Sequence, residues 1–252
     1  MKRRGRLHAG SPFILHFTTP LPFGRPGRAK SLNHFSLVTA RGKVVNPDQM
    51  TAHLQRAKYG SFWLTDAIRP SAELEIVPEE GFRIDTYCDA RNRLAVPVLA
   101  ASVSREKLFD LFLTVLEPLG DVVDVVLETS HRSPKGRHRD IGRDDIDLPV
   151  LMSHFCDFED LLLNDGCTGV AVISRREAME VQFDEHKSLL IYAPDLEPFA
   201  DIVRFARVRR NDRVRLLSEA VHLHQSDPRH QEAFRELCWR LGVGEAAKPV
   251  VG

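Results

Sequence analysis

The stretch from Leu148 to Val208 constrains the fold most, because it reads as helix, three strands and helix with hardly a break. Leu151, Phe155, Phe158 and Leu162 recur at helical spacing, with Asp157, Glu159 and Asp160 between them, the pattern of an amphipathic helix. Asn164, Asp165 and Gly166 supply the stop, and Gly166 is expected in the left-handed conformation that ends a helix without a Cβ clash. Thr168 to Ile173 is an apolar run too short for a helix and reads as a buried strand. Met179, Val181 and Phe183 then alternate with Glu180, Gln182 and Asp184, which predicts a strand with one dry face and one wet face. Glu185 to Ser188 is polar and reads as an exposed hairpin turn, and Leu189 to Ala193 as the returning strand. Asp195 and Pro198 open a second helix whose buried stripe is Leu196, Phe199, Val203 and Ala206. Two helices and three strands with apolar faces bury them most simply as helices packed on a largely antiparallel sheet.

Upstream, Phe82 to Cys88 and Leu94 to Val103 read as strands, the second apolar on both faces but carrying Pro97, which demands an edge or a bulge. Ser104 caps a helix with Leu108, Phe112, Val115 and Leu119 inside, Gly120 ends it, and Asp121 to Thr129 is a Val-rich strand. A strand-helix-strand order makes the two strands parallel if they share a sheet, so the sheet is expected to be mixed. Downstream, Val214, Leu217, Val221 and His224 suggest one helix, and His230, Phe234, Leu237 and Leu241 a second after Pro228, a C-terminal helical hairpin over residues 209–242. The expected fold class is α+β, with a mixed, mainly antiparallel sheet, flanking helices and that hairpin. Residues 50–208 would form the α+β domain, with halves 70–130 and 148–208 joined by a charged loop at 131–147.

Charge separates the N-terminal segment from this body. Lys plus Arg equals Asp plus Glu over the whole chain, yet residues 1–49 carry nine Lys or Arg against the single acid Asp48. Rich in Pro, Gly and Arg and lacking any apolar period, that extension is expected to be disordered or non-native, with Met50 the true start. Four scattered cysteines fit reduced thiols in a cytoplasmic protein, Cys88 and Cys156 being read as small core residues, and no apolar run approaches a membrane span.

Few motifs carry chemistry. The hydrolase G-x-S-x-G, the phosphate loop G-x-x-x-x-G-K and the dinucleotide G-x-G-x-x-G are all absent. His222 and His224 form an H-x-H pair, but on the expected helix a spacing of two points them to nearly opposite sides, so no metal is expected there. His138, Asp140, Asp144, Asp145 and Asp147 lack the spacing of a calcium loop and read as solvated charge. Cys167 follows a helix C-terminus, where the dipole opposes a thiolate, so Cys-His catalysis is disfavoured. No cofactor is expected.

What remains are two basic clusters: Arg132, Lys135, Arg137, Arg139 and Arg143, and Arg204, Arg207, Arg209, Arg210 and Arg213. Side by side, they would make an electropositive surface for an anionic or protein partner. The leading expectation is therefore a non-enzymatic interaction or regulatory module with a protein partner. Nucleic-acid binding through the arginines is one alternative. The other is an enzyme whose site assembles only in three dimensions, which a concave pocket bringing His154 or His186 near Asp184 or Glu180 would favour and a flat surface there would sink.

Overall fold

The computed structural model describes residues 52–89, 94–131 and 138–243. The N-terminal extension at 1–49, together with Arg132, Lys135 and Arg137, lies outside them. Eleven strands are assigned, seven of them in one sheet: β4 (Gly81–Asp89), β5 (Leu94–Ser102), β10 (Ser188–Tyr192), β9 (Glu180–Phe183), β8 (Thr168–Ser174), β6 (Val122–Thr129) and β7 (Arg139–Asp147), in that spatial order. The fold class is α+β with a mainly antiparallel sheet and flanking helices, as the sequence implies. Every neighbouring pair in the sheet is antiparallel, and the one parallel contact among the described residues is an isolated bridge from Phe82 to Arg210. The crossover helix α1 (Arg105–Thr114) does join strands of the same direction, β5 and β6, but three strands lie between them.

Helices α1, α2 (Leu148–Asp157), α3 (Glu159–Asn164), α4 (Glu197–Phe205) and α5 (Pro228–Arg240) cover one face. Strand residues of one parity, among them Leu99, Val125, Leu127, Val172, Val181, Phe183 and Ile191, share a single core with Phe112, Phe155, Phe199 and Phe234 from the helices. Phe112 lies at the middle of it, 4.9 Å from Phe183 and 5.4 Å from Phe155 between ring centroids. Pro97 stands opposite Thr86 of β4 but beyond the end of β10, which stops opposite Val98, so on that side β5 has an edge at the proline.

Four local expectations change. The apolar run from Leu148 is two helices broken at Phe158, not one. Glu180 and Gln182 are buried although they alternate with core residues, because β9 is the central strand of seven and the second face also carries an apolar cluster of Tyr87, Val98, Ala100, Leu190, Tyr192 and Leu216. Arg139–Asp147, read as part of a loop, is edge strand β7 paired along β6. Cys88 and Cys156 are exposed, not in the core.

The largest difference is at the C-terminus, where one helix, α5, replaces the expected hairpin. Val214 to His224 forms a single 3-10 turn, Leu217–Glu219, and then strand β11 (His222–His224), antiparallel to β3 (Ile68–Pro70) with Leu223 opposite Arg69. A segment whose apolar residues fit a helical stripe has been captured by a partner strand remote in sequence, a tertiary override of a local pattern. Leu217 and Ala220 pack with Tyr59, Phe62, Leu64, Ile68 and Ile76 in a small separate cluster that holds β3 and β11 in place.

Candidate metal centre

The hairpin tip between β9 and β10 is built from Asp184, Glu185, His186 and Lys187. Its turn is closed by the Lys187 amide on Asp184 O at 3.0 Å and the Ser188 amide on Asp184 Oδ1 at 2.8 Å. Lys187 takes the left-handed position, φ 60°, that glycine usually fills in such a loop. The tip is half-buried to buried, unlike the exposed turn the sequence suggests, because β11 lies close beside it.

On β11 a spacing of two puts His222 and His224 on the same face. This overturns the reading of the pair as helical and opposed. Their rings stand 4.7 and 4.9 Å from that of His186, both edge-on, and one ligand nitrogen from each of the three imidazoles lies within 4.8 Å of the others.

The hydrogen bonds fix which nitrogens these are. His222 Nδ1 donates to Ala220 O at 2.7 Å, and His224 Nδ1 donates to the carbonyl of Gly166. A carbonyl oxygen only accepts, so both protons sit on Nδ1 and both Nε2 atoms carry lone pairs. Yet those two Nε2 atoms face each other at 3.0 Å. Two neutral imidazoles so oriented repel; something positive belongs between them. Burial, reinforced by the neighbouring histidines, holds both imidazoles below the usual range, to about 4 for His222, so a shared proton is disfavoured. His186 pairs Nδ1 with Asp184 Oδ2 at 2.9 Å, which turns its Nε2 toward the other two. Burial alone would lower His186, but Asp184 and Glu185 raise it.

Glu185 stands beside this triad, 3.9 Å from His186 Nε2 and 3.3 Å from His138 Nε2. Burial pushes its carboxyl up, but the His138 hydrogen bond and the charge of His186 lead the opposing effects that hold it at about 2. Behind His224, Gly166 is where three chain segments meet. Its amide donates to Gln225 O at 2.8 Å and the Gln225 amide to Ala67 O at 2.8 Å. A Cβ on Gly166 would come within 2.3 Å of Ala67 O. Gly166 is thus required by close approach; its φ is not among the positive values, contrary to the left-handed conformation expected for it.

No family model, curated protein or solved structure matches the chain.

Of the sequence-derived site residues, the described ones lie away from the histidines. Arg139 and Arg143 are on β7, one edge of the sheet, where Arg143 donates to Leu241 O at 2.7 Å. Arg210 bridges to β4, the opposite edge, and pairs with Asp212 at 2.8 Å. Arg204 is held by Glu197 and Asp201, both at 2.7 Å. Arg207, Arg209 and Arg213 are exposed. The metal-capable histidines were visible in sequence as H-x-H, a strand spacing; the helical stripe around it concealed the signal. His186 pairs with Asp184 two residues away on the same turn, whereas His154 lies on α2.

Proposed function

We propose that this protein binds a zinc-class divalent ion through the Nε2 atoms of His186, His222 and His224, and uses it to activate a bound water or substrate. The observation that carries the reading is the facing of the His222 and His224 Nε2 lone pairs at 3.0 Å, with each Nδ1 committed to a carbonyl. Zinc–nitrogen bonds of 2.0–2.1 Å in a tetrahedron place ligand nitrogens about 3.3 Å apart, a distance these side chains reach with small adjustments. Metal-bound histidines characteristically donate their other nitrogen to a carbonyl or carboxylate, and here all three do so. Asp165, Asp184 and Glu185 bring three formal negative charges to this region against the one of Lys187, a surplus suited to a cation. Three protein ligands with a fourth position left open is the ligand count of catalytic zinc, and Glu185 stands beside that position.

Titration of chelator-treated protein with Zn(II) tests the reading. Binding is expected in the wild type and a loss of at least 100-fold in affinity in His222→Ala and His224→Ala, with far-ultraviolet circular dichroism unchanged. Equal affinity in wild type and both variants would sink it. Turnover of an activated ester, present with Zn(II) and abolished by chelator, separates an activating ion from a purely structural one.

A second reading keeps the partner-binding role at one of the basic clusters. Arg207 and Arg209 line an open groove of about 460 Å³ with Tyr59, Phe62, Val77 and Pro78, and Phe205 beside them is 92% exposed. Reversing the charge of Arg207, Arg209 and Arg213 should abolish binding of an anionic partner. If that partner is nucleic acid, the variant should also lose the steep salt dependence of its affinity.

A further inference from the structure

A second group of unlike side chains lies one residue from the carbonyl that orients His224. His131, Asp165 and Cys167 each present one ligand atom within 4.8 Å of the other two. Asp165 is fully buried at the end of α3, and Gly166 is the residue that separates it from Cys167. Asp165 Oδ2 accepts from His131 Nε2 at 2.8 Å and from the Thr168 hydroxyl. Its other oxygen, Oδ1, takes a long bond from the Cys167 amide, 3.3 Å, and Ser226 also hydrogen-bonds to the carboxylate. A second imidazole, His230, stands with Nδ1 4.0 Å from this same Oδ1. His230 is buried, with Nε2 turned to Asp160 Oδ2 at 3.2 Å and Nδ1 accepting a long bond from the Asp227 amide at 3.5 Å. A fully buried carboxylate, the His131 imidazole and a half-buried thiol thus present ligand atoms within 4.8 Å of one another, with His230 held beside them by the Asp227 amide.

We infer that this cluster is a second metal site, in which His131, Asp165 and Cys167 bind a zinc-class ion. The ligand types select the metal. A thiolate with an imidazole and a carboxylate suits Zn(II) over Mg(II) or Ca(II), which take oxygen ligands alone. Binding replaces the thiol proton, which leaves to solvent, and shifts the His131 ring proton to Nδ1 so that Nε2 exchanges Asp165 for the ion. The thiolate sets this site apart from the three-histidine site, whose ligands are imidazoles alone. The two sites share the Asp165–Gly166–Cys167 peptide: its flanking side chains bind the second ion, and its central carbonyl orients a ligand of the first. The inference stands on its own geometry and survives if the three-histidine site proves empty.

Cobalt loading distinguishes the two. Co(II) bound by a thiolate gives a near-ultraviolet charge-transfer band that imidazole and carboxylate ligands do not produce. Full-length protein stripped of metal and titrated with Co(II) should take up two ions per chain and show this band. Cys167→Ser should lose the band and one ion while the other remains; His222→Ala should lose one ion and keep the band. A wild-type protein that binds cobalt without the band, or a band that persists in Cys167→Ser, overturns the second site while leaving the first intact. A wild-type protein that shows the band but takes up a single ion, unchanged in His222→Ala, overturns only the first.

Discussion

At the scale of single residues, Gly166, Asp184 and Glu180 make separable predictions. A methyl group on Gly166 meets the Ala67 carbonyl at 2.3 Å and Gln225 O at 2.8 Å, both backbone atoms that move only if two strands move with them. Gly166→Ala should therefore lower unfolding stability by about 2 kcal/mol or more in denaturant titration, in the range of severe overpacking. A neutral result would show that β3 and β11 yield easily. Asp184 anchors His186 from behind, so Asp184→Asn should weaken Zn(II) binding about 10- to 100-fold while leaving the thermal midpoint of the metal-free protein nearly unchanged. Glu180 is buried on β9; burial, with the charge of Glu128 adding and the Gln182 hydrogen bond opposing, raises its carboxyl to about 7. The unfolded value is about 4.3, so between these two values the folded state holds a proton that the unfolded state has lost. The stability this confers is complete below about pH 4.3 and gone once pH has risen through about 7, a change of up to about 3 kcal/mol. Glu180→Gln should flatten that fall in thermal midpoint, and a variant profile parallel to the wild type would assign the pH dependence to other groups. Of these residues, Gly166 was singled out by sequence for a different reason, and the burial of Glu180 was hidden because alternation records polarity, not what covers it.

At the scale of elements, what was legible follows from how local each element's determinants are. Strands β8, β9 and β10 and helices α1 and α4 carry their own periodicity and appear where the pattern puts them, except that α1 stops at Thr114 and a 3-10 turn, Glu117–Leu119, continues its stripe, and neither helix has a side-chain cap bond. Strands β3 and β11 have three residues each, too few for a period, and exist because they pair. The site was missed for that reason: its histidines are written on an element that only tertiary structure creates. Leu223→Pro should separate β11 from β3, scatter His222 and His224 and abolish Zn(II) binding, while the seven-stranded sheet persists in the far-ultraviolet spectrum. Retained binding in this variant would mean that the hairpin tip alone holds the ion. By contrast Phe112→Ala, in the shared core under α1, should cost about 3–5 kcal/mol, independent of metal.

At the scale of the molecule, the strand order keeps Arg139 and Arg143, on β7, apart from Arg210, beside β4. Six interstrand steps of about 4.8 Å separate β7 from β4, roughly 29 Å across the sheet, several times the ~8 Å screening length at physiological salt. Each cluster therefore acts alone. Reversing Arg139 and Arg143 should leave any anion affinity at Arg207, Arg209 and Arg213 unchanged, measured by titration with heparin or a nucleic-acid probe. A joint loss would require a ligand long enough to span the sheet. Sequence placed ten basic residues on the same list, but the distance between them depends on strand order, which no local pattern encodes.

The contact between His224 and the Gly166 carbonyl joins positions 58 apart in the chain, and the hairpin carrying His186 falls between them. Closing such a loop is entropically costly and unrewarded until the sheet, the hairpin and β11 are all in place, so the triad should be among the last features to assemble. An ion bound there would be absent from the folding transition state. It would then leave the refolding rate untouched while slowing unfolding, turning a modest equilibrium gain into a longer native lifetime.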